Sequence, residues 1–117
     1  MEKAWDLRVR TKSFAVAVVR KSEVIPDTES GRIMRRQVVR SATSVAANFR
    51  AAKLARSKAE FASKLQISLE EADETCFWIE MLIECRLVEE SDVRELLSEA
   101  KELTAILMSS LKTARGL

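Results

Sequence analysis

The sequence has no histidine, no tyrosine, two glycines and one proline among its 117 residues. Without histidine, the chain lacks the commonest general base, the Ser-His-Asp and Cys-His nucleophile arrangements, and the usual imidazole metal ligand. The Glu-x-x-His pairs of di-iron bundles are excluded for the same reason. So few glycines and prolines also argue against the many turns of an all-β fold. These absences predict a helical protein with no catalytic residue, no metal and no cofactor.

Cysteine and long apolar runs are also scarce. Cys76 and Cys85 are nine residues apart on one predicted helix. They therefore point about 180° away from each other and cannot share a metal or close an intrahelical disulfide. We interpret both as reduced thiols of a cytoplasmic protein. The longest apolar run, Phe14 to Val19, is far shorter than a membrane span, and the N-terminus does not resemble a secretory leader, so we expect no membrane partner.

The residues that are abundant favour long helices, since alanine, leucine, glutamate, lysine and arginine predominate. Apolar periodicity and capping residues predict helices over residues 3–21, 31–55, 58–85 and 92–114. Pro26 lies in the predicted loop between the first two helices. Short connections make successive helices antiparallel. We therefore predict an all-α fold, an up-down-up-down four-helix bundle that forms a single domain over residues 1–117.

The apolar patterns predict which helix faces form the core. The third helix has the clearest seam, with residues three or four apart: Phe61, Leu65, Ser68, Ala72, Cys76, Ile79 and Ile83. The fourth has Val93, Leu96, Ala100, Leu103, Leu107 and Leu111 on one face. For the first helix we predict a core face of Trp5, Val9, Val16 and Val19, widened by Phe14 and Val18.

Two serines are predicted to cap helices. Ser57 and Glu60 form a capping box ahead of the third helix, in which each side chain accepts a hydrogen bond from the other residue's backbone amide. Ser91 is predicted to cap the fourth helix.

The third helix also carries more apolar residues than one seam needs. Its C-terminal half has a second flank that includes Leu69 and Leu82 beside Phe77, Trp78 and Met81. Either both neighbouring helices cover this flank or a partner subunit does. We take Phe77, Trp78 and Met81 as the candidate oligomer interface.

The net charge of +2 conceals an uneven distribution. Residues 30–58 contain eight basic and no acidic residues, whereas residues 59–117 contain thirteen acidic and six basic residues. The basic helix has three interpretations: pairing with acids of the same bundle, contact with the acidic face of another protomer, or binding to nucleic-acid phosphates. Without interleaved aromatic residues, nucleic-acid binding would be weakly sequence-selective.

A polar stripe follows one face of the second helix. It consists of Gln37, Arg40, Ser44 and Asn48, spaced three or four residues apart. We predict a structural network in the bundle interior that joins Arg40 and Asn48 to Glu71 or Glu74 of the third helix. The alternative, a metal or acid–base site built from Glu70, Glu71 and Glu74, lacks a second carboxylate cluster on another helix.

Two segments resemble a known bacterial four-helix-bundle family. They are the stretch from Gln37 to Arg50, QVVRSATSVAANFR, and the stretch from Ala55 to Phe61, ARSKAEF. Glu71-Ala72-Asp73-Glu74, Trp78-Ile79-Glu80 and Pro26 extend the resemblance to most of the chain. The family is named for reading frames in intervening sequences of 23S ribosomal RNA genes, and it includes the accessory variability determinant of diversity-generating retroelements.

The resemblance implies an up-down bundle that assembles as a homopentameric ring. The retroelement member is basic and binds nucleic acid and a reverse transcriptase, whereas most members have no assigned activity. The positions that carry over to this chain are Gln37, Arg40, Ser44, Asn48 and Glu74. Family members often have proline where this chain has Ala46, so the second helix is expected to continue smoothly past Asn48. The acidic second half differs from a strongly basic nucleic-acid binder, and we do not transfer the retroelement role.

The sequence therefore predicts a non-enzymatic, homo-oligomeric assembly or adaptor protein, which could also have a different protein as its partner. Its basic face would meet the acidic face of the next subunit. The alternative is a nucleic-acid-binding accessory protein for RNA or DNA, in which Arg50, Lys53 and Arg56 contact phosphates.

Overall fold

The computed structural model describes the backbone of residues 4–117 and the side chains of residues 7–117. It contains α1 (Ala4–Lys21), α2 (Glu29–Lys53), α3 (Lys58–Glu84) and α4 (Glu90–Ala114), with a short 3-10 turn, Ser22–Val24, directly after α1. The predicted start of the first helix at Lys3 lies outside the described residues. The described part of the chain has no strand, and none of its helices is long and apolar enough to cross a membrane.

The four helices form an antiparallel bundle in which each helix packs against its neighbours in chain order and α1 also packs against α4. The α2–α3 seam is the most extensive, and the α1–α4 seam that closes the bundle is the smallest. Since α1 and α3 share no packed seam, they lie at diagonally opposite corners. The predicted fold class is confirmed, and the diagonal placement of α1 and α3 decides which surfaces one molecule can bring together.

The core follows the predicted seams of α3 and α4. On α4, Val93, Ala100, Leu103, Leu107 and Leu111 are buried, as predicted. On α3 the middle of the predicted seam is buried, while its ends, Phe61 and Ile83, are half-buried and pack against the core. These rows have the spacing of a helix with one buried face, which is why the sequence revealed them.

The predicted core face of α1 is right for Phe14 and Val18 and wrong for Val9, Val16 and Val19. Its buried residues are Leu7, Thr11, Phe14, Ala15 and Val18. Val9, Val16 and Val19 keep 57%, 43% and 41% of their surface exposed. At about 100° per residue, Val9 and Val16 point away from the core on the opposite side of the helix. The larger side chains of Leu7 and Phe14 gain more from burial than valines do, so they decide which face turns inward. The side chain of Trp5, also predicted on this face, lies outside the described residues.

Helix α2 starts after the capping residue Thr28, which lies in the loop predicted between the first two helices. The Thr28 side chain accepts a hydrogen bond of 3.1 Å from the Gly31 amide, so Glu29 and Ser30 form the first turn and the helix begins two residues earlier than predicted. A Cβ atom at Gly31 would lie 2.0 Å from the carbonyl oxygen of Pro26. Only glycine therefore fits where this loop crosses the helix.

The capping prediction for α3 is confirmed in its first half, and the one for α4 is wrong. Ser57 Oγ accepts a 3.0 Å hydrogen bond from the Glu60 amide, but the Glu60 carboxylate accepts from the Arg56 amide, at 2.7 Å, and not from that of Ser57. Helix α4 begins at Glu90, with Glu89 at the cap position, and Ser91 lies inside its first turn. Acidic side chains are favourable at the N-terminus of a helix, because the helix dipole is positive there.

Candidate interaction surfaces

Arg40 of α2 bridges two carboxylates of α3. Its Nη1 donates to both carboxylate oxygens of Glu71, at 3.2 and 3.3 Å, and its Nη2 contacts Glu74. Its Nε donates to Gln37 Oε1 at 3.2 Å, and Trp78 Nε1 donates to Glu74 Oε2 at 2.9 Å. We call these five residues the Arg40 clamp. The clamp brings together four of the six predicted network residues and adds Trp78.

The clamp lies at the surface and not in the bundle interior, where it was predicted. The Arg40 side chain is 45% exposed, since removing a guanidinium from water is costly even when it is paired. The hydrogen bond from Trp78 lowers the pKa of Glu74, burial opposes this, and Arg40 lowers it further. Glu74 is therefore held in its charged form.

The other two predicted network residues do not join the clamp. Asn48 Nδ2 donates to the carbonyl oxygen and to Oγ of Ser44, both at 2.9 Å, within α2. Glu70 does not join it either, because its carboxylate accepts from Gln66 Nε2 at 2.9 Å. No group of three acidic or cysteine residues in the described range is placed to hold a metal ion.

The buried polar contacts between α2 and α3 are made by small hydroxyl groups, of which only Ser68 belonged to a predicted core seam. Thr75 Oγ1 lies 2.9 Å from Ser41 Oγ, and Ser68 Oγ donates to the Val45 carbonyl oxygen at 2.8 Å. Ser41, Ser68 and Thr75 are fully buried. The position of Ser68 on the predicted α3 seam was the one signal available. A hydroxyl that is hydrogen-bonded can be buried at far lower cost than an arginine.

A second arginine clamp joins α1 to α4. Arg10 donates to both oxygens of Glu99, from Nε at 2.7 Å and from Nη2 at 2.9 Å, and Nη2 also donates to Glu102 Oε1 at 2.6 Å. These hydrogen bonds raise the pKa of Arg10, with Glu99 contributing most. We call this group the Arg10 clamp. No sequence signal pointed to it, because the residues are far apart in the chain.

Most bases of residues 30–58 do not pair with the acids of α3 and α4. Arg40 alone bridges to α3, Arg32 pairs with Asp27 at 3.1 Å, and Arg35 donates to backbone carbonyls of the connection before α2. The remaining side chains make no ion pair with any described residue: Arg36, Arg50, Lys53, Arg56 and Lys58. Pairing inside the bundle therefore accounts for little of this charge.

An open groove runs between α1 and α2. Its volume is about 480 Å³, and it is lined by Arg8, Val9, Lys12, Ala46, Ala47 and Arg50. Arg8 and Lys12 are one turn apart on α1, and Arg50 faces them from α2. None of these three cations has an ion-pair partner among the described residues. We call this feature the basic groove.

The outer face of α3 has the opposite character. Phe77 is 49% exposed. Asp73 lies four residues before it, Glu80 three residues after it and Glu84 four residues after Glu80, so all four lie on the same face of the helix. We call these four residues the α3 ridge. A shallow groove beside Asp73, Phe77 and Glu80 is completed by Lys101 and Thr104 of α4.

The three residues predicted as an oligomer interface therefore differ in position. Phe77 is exposed, Trp78 is half-buried against the core with its ring 4.9 Å from that of Phe77, and Met81 is half-buried. Trp78 belongs to the Arg40 clamp, and Phe77 belongs to the α3 ridge.

The model of one protein family matches residues 5–109, and that family is described as the 23S rRNA-intervening sequence protein. The chain belongs to this 23S rRNA-intervening sequence protein family. A crystal structure from Bacteroides thetaiotaomicron supports the fold, with a TM-score of 0.83 and 32% identity over 90% of this chain and 97% of that one. It is described as a protein of unknown function from the S23 ribosomal protein family. No curated protein matches the chain.

In this family member, the positions carried over by the resemblance have two different arrangements. Arg40 and Glu74 meet across the α2–α3 seam, with Gln37 bonded to Arg40. Ser44 and Asn48, one and two turns further along α2 than Arg40, bond to each other. The polar stripe of α2 thus reaches α3 only at its N-terminal part, through Arg40 and Glu74.

Proposed function

We propose that this family member is a non-enzymatic scaffold that assembles from several copies of itself in the cytoplasm. The observation that carries the proposal is the second apolar row of α1. A corner helix of a four-helix bundle needs one apolar face, which α1 already supplies through Leu7, Phe14 and Val18. Val9, Val16 and Val19 form a further row that the bundle leaves exposed.

The energetics of this row require a second contact surface. Complete burial of a valine side chain stabilises by about 1.5 kcal/mol or somewhat more, and these three are roughly half exposed. Their combined contribution is therefore about 2 to 3 kcal/mol, whereas a micromolar complex needs about 8 kcal/mol. Other groups must supply the remaining binding free energy, and the charged side chains that make no ion pair with a described residue are the candidates.

The distribution of charge favours contact between unlike faces. Several bases of α2, and acids of α3 such as Asp73 and Glu84, make no ion pair with any residue that the structure describes. A basic face that meets an acidic face gives a head-to-tail contact, which closes into a ring when its rotation permits. The family resemblance makes a homopentamer the expected size. The exposed, unpaired thiol of Cys85 supports a reducing compartment such as the cytoplasm.

The experiment measures solution mass by light scattering after size exclusion. We expect a mass of several 13.2 kDa protomers for the wild type and a mass close to one protomer for Val16→Glu. Met108→Glu is the matched control, because Met108 on α4 is also 43% exposed but lies outside the row. Unchanged circular dichroism would show that the variants remain folded. A monodisperse wild-type monomer at micromolar concentration would contradict the proposal.

A second candidate function, nucleic-acid binding, is favoured by the exposure of three bases at and just beyond the C-terminal end of α2. Arg50, Lys53 and Arg56 are exposed and make no ion pair with described residues. If they contact phosphates, affinity for a structured RNA or a duplex DNA should fall steeply with salt and vary little with sequence. Replacing all three with alanine should abolish binding, whereas Arg94→Ala on α4 should not change it. Equal binding by the triple variant would exclude these residues as the contact.

A further inference from the structure

The basic groove has the form of a receptor for an aromatic side chain with acidic neighbours. Ala46 and Ala47 provide small side chains between the two helices, and Val9 adds apolar surface. The open groove has a volume of about 480 Å³, which is enough space to accept an aromatic side chain from outside. Arg8, Lys12 and Arg50 surround this surface with positive charge. A fitting ligand would therefore be apolar at its centre and negative at its edges.

The α3 ridge has that composition. Phe77 projects from its middle and is 49% exposed. Asp73 lies one turn before Phe77, Glu80 one turn after it, and Glu84 one turn further on. None of these carboxylates forms an ion pair with a described residue. An exposed phenylalanine between unpaired carboxylates is unfavourable in water and is well suited to a basic groove.

We propose that the basic groove of one copy receives the α3 ridge of a second copy of this chain. This inference rests on the proposed self-assembly and assigns its two contacting surfaces. Phe77 inserts between α1 and α2, where an arginine can also stack on its ring, and its acidic neighbours face the three cations of the rim. The charges of the two surfaces match in number as well as in sign, since the ridge has three acids (Asp73, Glu80 and Glu84) and the groove has three bases (Arg8, Lys12 and Arg50).

The position of the two surfaces in the bundle makes the contact intermolecular. The groove lies on the α1–α2 side, and the ridge lies on α3, which is diagonal to α1. No molecule can insert its own ridge into its own groove. Since the surfaces differ, a pair of copies retains one free groove and one free ridge after the first contact, so the contact propagates head-to-tail until a ring closes.

Two single-surface variants test this arrangement. Lys12→Glu reverses a charge in the groove and leaves the ridge intact, whereas Phe77→Ser removes the centre of the ridge and leaves the groove intact. We expect each variant alone to be monomeric by analytical ultracentrifugation. Mixed in equal amounts, they should form a 1:1 heterodimer and nothing larger, because only one working groove and one working ridge are present.

Charge exchange gives a second readout. Lys12→Glu and Glu80→Lys should each weaken association at least about tenfold, and the double variant should recover most of that loss. Lys112→Glu and Glu95→Lys, both on exposed positions of α4, are the matched controls and should leave the mass unchanged. Circular dichroism and thermal unfolding establish that every variant folds.

The outcomes separate this inference from the proposed function. If the wild type is oligomeric but the two single-surface variants do not form a dimer, or stay oligomeric alone, the assigned surfaces are wrong and self-assembly stands. If the wild type is a monomer, both are overturned. Capture of a heterodimer, together with recovery in the double reversal, supports the groove-to-ridge contact.

Discussion

The α2–α3 seam and the α1–α4 seam are held together differently, although an arginine bridges two carboxylates across each of them. Between α2 and α3 the helices approach closely along an extensive interface, with hydroxyl groups such as Ser68 buried between them. Between α1 and α4 the interface is the smallest in the bundle, and the Arg10 clamp spans it. The comparison teaches that the same ion-pair arrangement supplements packing in one place and substitutes for it in another.

The largest expected effect comes from overpacking the α2–α3 seam. Ser68→Leu places a bulky side chain where the Ser68 hydroxyl now lies 2.8 Å from the Val45 carbonyl oxygen. We expect the free energy of unfolding to fall by about 3 kcal/mol, because a close-packed seam cannot expand to accept the extra volume. Urea denaturation measures it. Ser63→Leu, at an exposed position of the same helix, should change it by less than about 0.5 kcal/mol.

A smaller effect separates the two clamps directly. Arg10→Met should lower the free energy of unfolding by about 1 to 2 kcal/mol, since Arg10 is 25% exposed and binds Glu99 with two hydrogen bonds. Arg40→Met should lower it by about 0.5 kcal/mol, because Arg40 is 45% exposed beside a well-packed seam. Both values come from urea denaturation at low salt. If the Arg40 variant were the less stable of the two, the proposed difference between the seams would be wrong.

The smallest effect concerns the protonation of Glu74. The hydrogen bond from Trp78 is the main cause of its lowered pKa, so Trp78→Phe should raise that pKa toward the ordinary glutamate value. A lowered pKa in the folded state means that Glu74 stabilises the wild type above its unfolded-state pKa, and that this contribution is lost as pH falls through the folded-state pKa. The variant should therefore lose less stability in acid.

Carboxyl-carbon NMR titration of Glu74 measures the pKa shift, and urea denaturation across the acid range measures the stability. Met81→Leu is the control, since Met81 lies close by on α3 but makes no hydrogen bond to Glu74. An unchanged Glu74 pKa in Trp78→Phe would show that the indole hydrogen bond is not what lowers this pKa.

The sequence predicted the bundle because α3 and α4 each have a continuous apolar row with residues three or four apart, and this row indicates which face of the helix is buried. For α1 it predicted the burial of Phe14 and Val18 but placed the centre of the core face on the valines opposite them, because periodicity alone does not rank two apolar faces. The Arg40 clamp was partly predictable, since the polar stripe of α2 and the acids of α3 were each visible. The Arg10 clamp was not, because nothing in a sequence gives the relative rotation of the first and last helices.

The hydrogen bond between the Trp78 indole and Glu74 also makes the protein its own optical probe. The chain has two tryptophans, so Trp5→Phe leaves Trp78 as the sole indole emitter. Its fluorescence then reports on the Glu74 carboxylate that accepts its hydrogen bond and on the neighbouring ring of Phe77. Protonation of Glu74 and docking of the α3 ridge would each change the surroundings of this one chromophore, so both events can be followed in dilute solution without attaching a label.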